Sequence, residues 1–302
     1  MRDVFRESLL IHAGRADFVF LTGDLGFMAL EPLRDALGPR FVNAGVAEQN
    51  MVAVAAGLAK SGMRAWAYSI APFIYARPFE QIRNDVCLHD LPVVLVGNGG
   101  GYGYGVMGGT HHALGDYGAL LTLPNLRVFI PAFDEDVPPV VTRLFDESHP
   151  AYLRLGLSEK PEKFVPPAYA PWRCVSRGDG PCLLAVGPLV GSILQAVLRL
   201  EARCRPRVWV LSELPFPAPP PEFLADVRES DCLMVVEEHA AAGSVGAMLA
   251  LYLLSNAQSP RRFLHRPALG YVTGRYGSQK FHRRECGLDP EAVLAELALT
   301  SC

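Results

Sequence analysis

Nowhere in this 302-residue chain do two cysteines form a CxxC pair, and the seven cysteines (87, 174, 182, 204, 232, 286 and 302) are an odd set. That argues against a zinc site or a disulfide framework and fits thiols kept reduced in a cytoplasm. Long hydrophobic runs are missing too. The most apolar stretch, Val245 to Leu254, is far too short to cross a bilayer. The opening residues, MRDVFRESLLIHAGRADF, contain no apolar core of the signal-peptide kind. Nor is positive charge in excess. The formal net charge is −3 and the pI about 6.2, and His282-Arg283-Arg284 is too short for a basic patch. A nucleic-acid partner is therefore not expected. Charged residues make up only 20% of the chain, too few for disorder, while 50% hydrophobic residues supply a substantial core. The expectation is a globular, cytoplasmic protein without membrane segments.

The length suits one large domain or two of ordinary size. Apolar runs alternate with helical stretches, the pattern of parallel α/β architecture. The runs predict strands over 18–21, 65–68, 92–96 and 128–130, and helices over 5–12, 47–60, 78–88 and 134–145. EKPEKFVPPAYAPW then places four prolines in fourteen residues with no apolar periodicity, which reads as a linker between domains. A second alternating unit follows, with strands over 182–187, 207–211, 232–238 and 261–266 and helices over 190–202, 243–254 and 290–297. Such short, fully apolar runs suit parallel sheets covered on both faces. The expectation is thus two parallel-sheet α/β domains, residues 1–158 and 175–302, joined by a Pro-rich linker over 159–174.

One carboxylate stands out. In NAGVAEQNMVAVAAGLA (43–59), Glu48 opens an otherwise apolar helical stretch, and helical spacing puts it on one face with Met51, Val52, Ala55 and Ala59. An acid in a first helical turn is favoured by the macrodipole and can bend out to water. If instead it stays on the apolar face, it needs a hydrogen-bonding partner or a ligand that provides one.

Two further stretches could carry chemistry. The loop GNGGGYGYGVMGGTHHALGD (97–116) has eight glycines within residues 97–109, too many for a mere connection. Its formal GxGxxG (Gly103, Gly105, Gly108) lacks the tight strand-to-helix turn and the later acid of a dinucleotide site, so that reading is rejected. His111 and His112 close the loop, as caps of the next helix, as a core histidine, or as part of a site in which Asp116 orients an imidazole. In APFIYARPFEQIRND (71–85), Phe73, Tyr75 and Phe79 offer either core packing or a stacking wall for a flat ring.

GVAEQNM, APF…RPFEQIRND and GGTHH, in this order, resemble the pyrimidine-binding half of the transketolase family of thiamin-diphosphate enzymes. The linker and second unit, with VVEEHAAAGSVG (235–246), resemble that family's C-terminal domain, so the resemblance covers essentially the whole chain. It implies that Glu48 hydrogen-bonds a ring nitrogen of the cofactor's aminopyrimidine, the contact that favours loss of the proton from the thiazolium carbon. It implies that one or more of Phe73, Tyr75 and Phe79 wall that ring, and that His111 lies by the thiazolium and the substrate hydroxyls. Asp24, in TGDLGF, matches an acid near the cofactor, although turn capping explains it equally well. Arg2 and Arg154 match arginines that hold a substrate phosphate.

The resemblance also defines what is missing. Full-length transketolases bind Mg²⁺ and the diphosphate through a GDG and a later Asn in a separate N-terminal domain. The GDG here, at 178–180, precedes a strand of the second unit and reads as a turn. No metal ligands are therefore expected in this chain. The implication is the beta half of a split transketolase, transferring a two-carbon ketol unit from a ketose to an aldose. An alpha chain would supply the Mg²⁺ and diphosphate site of an α₂β₂ assembly around a beta–beta dimer. Two departures weaken the case for ordinary sugar phosphates: the family's hydroxyl-reading acid is Met107 here, and a phosphate-contacting histidine is Gly99. A deoxyxylulose-phosphate synthase-like or 2-oxo acid dehydrogenase beta subunit, or a non-catalytic assembly subunit, stands as the alternative. GGTHH favours the transketolase and synthase branch over the dehydrogenases.

Overall fold

The computed structural model describes residues 1–26 and 28–298, so Cys302 lies outside the described residues. Twelve strands are described: β1 (Phe18–Thr22), β2 (Phe41–Asn43), β3 (Arg64–Ile70), β4 (Val94–Asn98), β5 (Arg127–Phe129) and β6 (Ala151–Leu155), then β7 (Trp172–Ser176), β8 (Cys182–Val186), β9 (Arg207–Leu211), β10 (Glu213–Leu214), β11 (Cys232–Glu237) and β12 (Arg262–Arg266). The first sheet runs β10-β5-β6-β4-β3-β1-β2 and the second β12-β11-β8-β9-β7. Every neighbouring pair is parallel except β10 with β5 and β7 with β9. The chain is thus mixed α/β with two largely parallel sheets.

The strands with continuous apolar runs, such as β1 and β8, are buried along their whole length, as sheets covered on both faces require. Helix Glu48–Lys60 packs on β3 and buries Glu48, Met51, Val52, Ala55, Ala56 and Ala59, the face its spacing predicts. The helix predicted over 78–88 is different. Pro78 offers no N–H to a continuous helix, and the segment is instead a helix over Ala71–Ala76, a short turn over Phe79–Gln81 and a π-helical turn over Ile82–Cys87. Similarly, the stretch 134–145 begins as a 3₁₀ turn, and its α-helix starts at Val137 with Pro138 in the first turn. The segment read as linker contributes its last residues to β7, whose Trp172 packs on Phe223. β10 leaves the second unit and joins the first sheet antiparallel to β5.

Successive parallel strands place the candidate residues together. Gly23 follows β1, Ala71 follows β3 and Gly99 follows β4, while the chain reaches Glu48 soon after β2. The paired ends Thr22↔Tyr68 and Ile70↔Asn98 set these exits side by side. Loops outside the carboxyl ends of parallel strands are the usual place for a ligand in such sheets.

The second unit clamps this edge. Tyr117 stacks on His239 at 3.8 Å and donates its hydroxyl to Glu237, which also accepts from the Val245 and Gly246 amides at 3.0 and 2.8 Å and contacts His265 at 2.8 Å. Burial would raise the Glu237 pKa, but the His265 contact, followed by the Tyr117 and Gly246 hydrogen bonds, holds it below the usual carboxylate value. His239 accepts from the Gly118 amide through Nε2 at 3.1 Å and donates through Nδ1 to the Ala240 carbonyl at 2.7 Å, which fixes a neutral ring. Burial lowers the pKa of His239, and likewise of His112 and His282.

A pH dependence follows from these signs. A histidine whose folded pKa lies below its unfolded value of about 6.5 binds protons more readily when unfolded, so its contribution is complete above that pH and is lost below it. Glu237, with a depressed pKa, loses its contribution in the same direction once the pH drops below about 4.3. Urea unfolding midpoints are therefore expected to fall steadily from about pH 7 to pH 5 and further toward pH 4. A profile that stays flat across that interval would contradict the buried, neutral histidines.

Candidate active site

Glu48 does not bend out to water. Its side chain is only 4% exposed, and both carboxylate oxygens accept from Arg77 Nη1 at 2.9 Å, with Ser69 Oγ at 3.5 Å from Oε1. A Cβ added to Gly23 would lie 3.8 Å from Oε1, so the chain leaving β1 closes another side. The partner that sequence reasoning sought within the chain is Arg77, which it did not single out. A signal existed: Arg77 follows Phe73 by four residues, the spacing that places two side chains on one helical face. Its guanidinium carbon lies 3.7 Å from the Phe73 ring centroid.

The three aromatics separate in space. Phe73 lies beside Arg77 and also meets the His111 ring edge-on, with centroids 5.2 Å apart. Tyr75 turns toward Asp116; burial, and then the Asp116 charge, raises its pKa. Phe79 is half-buried against the apolar core that includes Met51 and Val86. Of the three, Phe73 is the one next to both the Glu48 partner and His111.

His111 is half-buried, with Nδ1 2.9 Å from Thr110 Oγ1 and the Tyr104 ring 5.8 Å away. Tyr104 accepts from Asn98 Nδ2 at 2.9 Å; burial raises its pKa, while Asn98 and the charge of Arg2 oppose that rise. Arg2 therefore stands within electrostatic reach of Tyr104 in the glycine-rich loop. His112 is structural: Nε2 donates to the Gly105 carbonyl at 2.8 Å and Nδ1 accepts from the Tyr271 hydroxyl at 2.9 Å. Glycine is required at two turns here. Gly99, at φ +78°, has the Tyr104 ring 2.2 Å from where a Cβ would be, and Gly108, at φ +74°, has Tyr276 at 2.9 Å. The position that matches a family histidine is thus filled by the ring of Tyr104.

Asp24 is exposed, accepts from Asn43 Nδ2 at 3.1 Å and lines an open cleft of about 470 Å³ with Thr22, Leu30, Arg34 and Asn43. Arg154 lies in the interior. It was expected to hold a substrate phosphate, but it is buried inside β6, bonded through Nε to Asp116 at 2.7 Å and through Nη2 to the Ala113 and Glu238 carbonyls at 2.9 and 3.0 Å. Tyr152 donates to the same Asp116 oxygen at 2.9 Å. A guanidinium so held joins the two units through Asp116, Ala113 and Glu238.

The donor set fits an aminopyrimidine. A buried carboxylate beside an aromatic face already receives a planar N–H group, the same chemistry an aminopyrimidine protonated at its ring nitrogen would present. Among the described residues, no group of three or more His, Cys, Asp or Glu stands close enough to hold a metal ion. The GDG at 178–180 lies in the bend between β7 and β8, where the Gly180 amide donates to the Arg205 carbonyl at 2.9 Å. No helix among the described residues is long and apolar enough to cross a membrane.

Comparison with known proteins shows the family and the fold. A family model described as "Transketolase, pyrimidine binding domain" matches residues 12–160. The chain is 30% identical over 270 residues to one of the subunits of the apulose-4-phosphate transketolase of Actinobacillus succinogenes, covering 86% of this chain and 84% of that protein. It is 30% identical over 299 residues to the protein of the same name from Phocaeicola vulgatus, covering 97% and 94%. "1-deoxy-D-xylulose-5-phosphate synthase 2" of Geobacter sulfurreducens is 32% identical over 271 residues, but this chain spans only 42% of it. Among solved structures, "Split gene transketolase, inactive beta4 tetramer" superposes with a TM-score of 0.81 at 27% identity, over 99% of this chain and 97% of that one. Transketolase from Leishmania mexicana shares the fold, with a TM-score of 0.78 at 17% identity over 99% of this chain and 45% of that one.

Proposed function

The chain belongs to the transketolase family, and from that premise we propose that it is the beta subunit of a split, thiamin-diphosphate-dependent transketolase acting with a separate alpha chain. The observation that carries this reading is Glu48, a buried carboxylate at a helix start linked through Arg77 to Phe73, whose ring in turn meets His111. Relatives named as single subunits of an apulose-4-phosphate transketolase support a ketose donor and a split enzyme. The protein is accordingly a transferase, and its place is the cytoplasm.

Thiamin diphosphate, when bound, supplies a thiazolium carbon that takes up and releases the two-carbon unit. Glu48 would hold a proton at the pyrimidine nitrogen, strengthened by the poorly solvated setting of its carboxylate. Phe73 would lie against the ring face, and Asp24 would border the cofactor on the β1 side. Tyr75 and Phe79 pack instead against the apolar core that includes Met51 and Val86. His111, oriented by Thr110, is placed to exchange protons with substrate hydroxyls, and Arg2 lends positive charge to the outer end of the cleft. Mg²⁺ with the diphosphate would be anchored by oxygen ligands of the alpha chain, in an α₂β₂ assembly built on a beta–beta dimer.

Reconstitution with a candidate alpha chain, followed by assay of ketose donors with aldose acceptors, tests the proposal. Activity with pyruvate and an aldose phosphate, and none with ketoses, would instead favour a synthase-like role. Within the active assembly, His111→Ala is expected to lower turnover or raise substrate KM by about 10²-fold or more while leaving cofactor affinity nearly unchanged. Equal, large losses of cofactor binding in His111→Ala and His112→Ala would reduce the loop to an architectural role.

A further inference from the structure

Glu48 and Phe73 are both engaged by one side chain that the functional reading does not use. We propose that Arg77 is a further member of the cofactor site. Its guanidinium holds the place of the pyrimidine ring and leaves when the ring arrives. The inference rests on the proposed function, since it concerns the ring that Glu48 and Phe73 would receive.

Three features carry it. The guanidinium is planar, and its carbon lies 3.7 Å from the Phe73 centroid, so it covers the aromatic face that a flat ring would stack on. A single nitrogen, Nη1, spans both Glu48 oxygens at 2.9 Å, the donor position a protonated ring nitrogen would take. Yet Arg77 is not built in. Its side chain is 42% exposed, and among the described residues its hydrogen bonds go to Glu48 alone. It follows the helix Ala71–Ala76 and precedes Pro78, with open water for the side chain to move into.

The physical need is clear. A carboxylate 4% exposed cannot be left unpaired without a large desolvation cost. Arg77 satisfies it from within the chain, and a bound ring satisfies it afterwards. The buried acid thus keeps a partner in both states, and the cofactor binds in competition with an internal cation. Arg154 shows the contrast, because its guanidinium is buried and tied to three separate acceptors.

The test uses the full chain and 4-amino-5-hydroxymethyl-2-methylpyrimidine as probe, with affinity read by saturation-transfer NMR and calorimetry. Arg77→Ala is expected to bind the probe about tenfold more tightly than the wild type. Arg77→Lys, which keeps the charge but cannot lie flat or match the planar donor geometry, should fall between them. Without ligand, Arg77→Ala should melt below the wild type, because Glu48 has lost its partner, and saturating probe should close that gap. Adding Glu48→Gln to Arg77→Ala should abolish the gain. Glu48-dependent binding that is unchanged or weaker in Arg77→Ala overturns the place-holding role alone. Binding indifferent to Glu48→Gln in every background, or absent from all variants at the probe's solubility limit, overturns the reading of the Glu48 site as well.

Discussion

Glu48→Gln is expected to leave the chain folded and to lower thiamin-dependent turnover of the assembled enzyme by about 10²–10⁴-fold, the usual contribution of a general acid–base group. The substitution keeps the shape of the side chain and one acceptor oxygen. It removes the charge that would hold a proton at the pyrimidine nitrogen, and with it the ion pair to Arg77. Circular dichroism and melting behaviour close to wild type, together with a collapse of single-turnover rate, are the combined signature. Turnover within a few-fold of wild type would remove Glu48 from the chemistry.

The second large effect concerns stability. Asp116→Ala is expected to destabilise the fold by about 3–5 kcal/mol, because it strands the Arg154 guanidinium in the interior. Asp116 is fully buried, and its Oδ2 receives both Arg154 Nε and the Tyr152 hydroxyl. The same arginine reaches the Glu238 carbonyl, and Glu238 pairs with Arg283, so the loss extends across both sheets. Replacing Arg154 by Met together with Asp116→Ala should restore part of the loss, since a buried pair exchanged for apolar side chains costs far less than a broken one. Chemical denaturation of wild type and the two variants measures both effects. A loss below about 1 kcal/mol for Asp116→Ala would mean that water reaches the pair.

These two residues show what could be read in the sequence and what could not. The Glu48 face was legible because helical periodicity is local: Met51, Val52, Ala55 and Ala59 mark the buried side without knowledge of any partner. Strands with unbroken apolar runs, such as β8 and β9, were legible for the same reason. Partners far apart in sequence were not. Glu48 and Arg77 are 29 residues apart, and Asp116 and Arg154 are 38 apart, so local spacing gave no sign of either pairing. Arg154 also interrupted the apolar run of β6, which hid a strand buried at all five positions. β2 and β10, with three and two residues, are too short to show a period at all. Motif resemblance supplied the family, and with it the phosphate-binding expectation for Arg154. It could not show that Phe73, rather than Tyr75 or Phe79, stands beside Arg77 and His111.

The central claim is that this chain carries the pyrimidine half of a cofactor site whose diphosphate half lies on another subunit. Calorimetric titration with thiamin diphosphate and Mg²⁺ tests it most directly, run on the chain alone, on a candidate alpha chain alone, and on the two mixed. Tight binding and ketol transfer are expected only in the mixture, with Glu48→Gln in this chain weakening both. Micromolar binding by this chain alone, or ketol transfer without an alpha chain, would contradict the account.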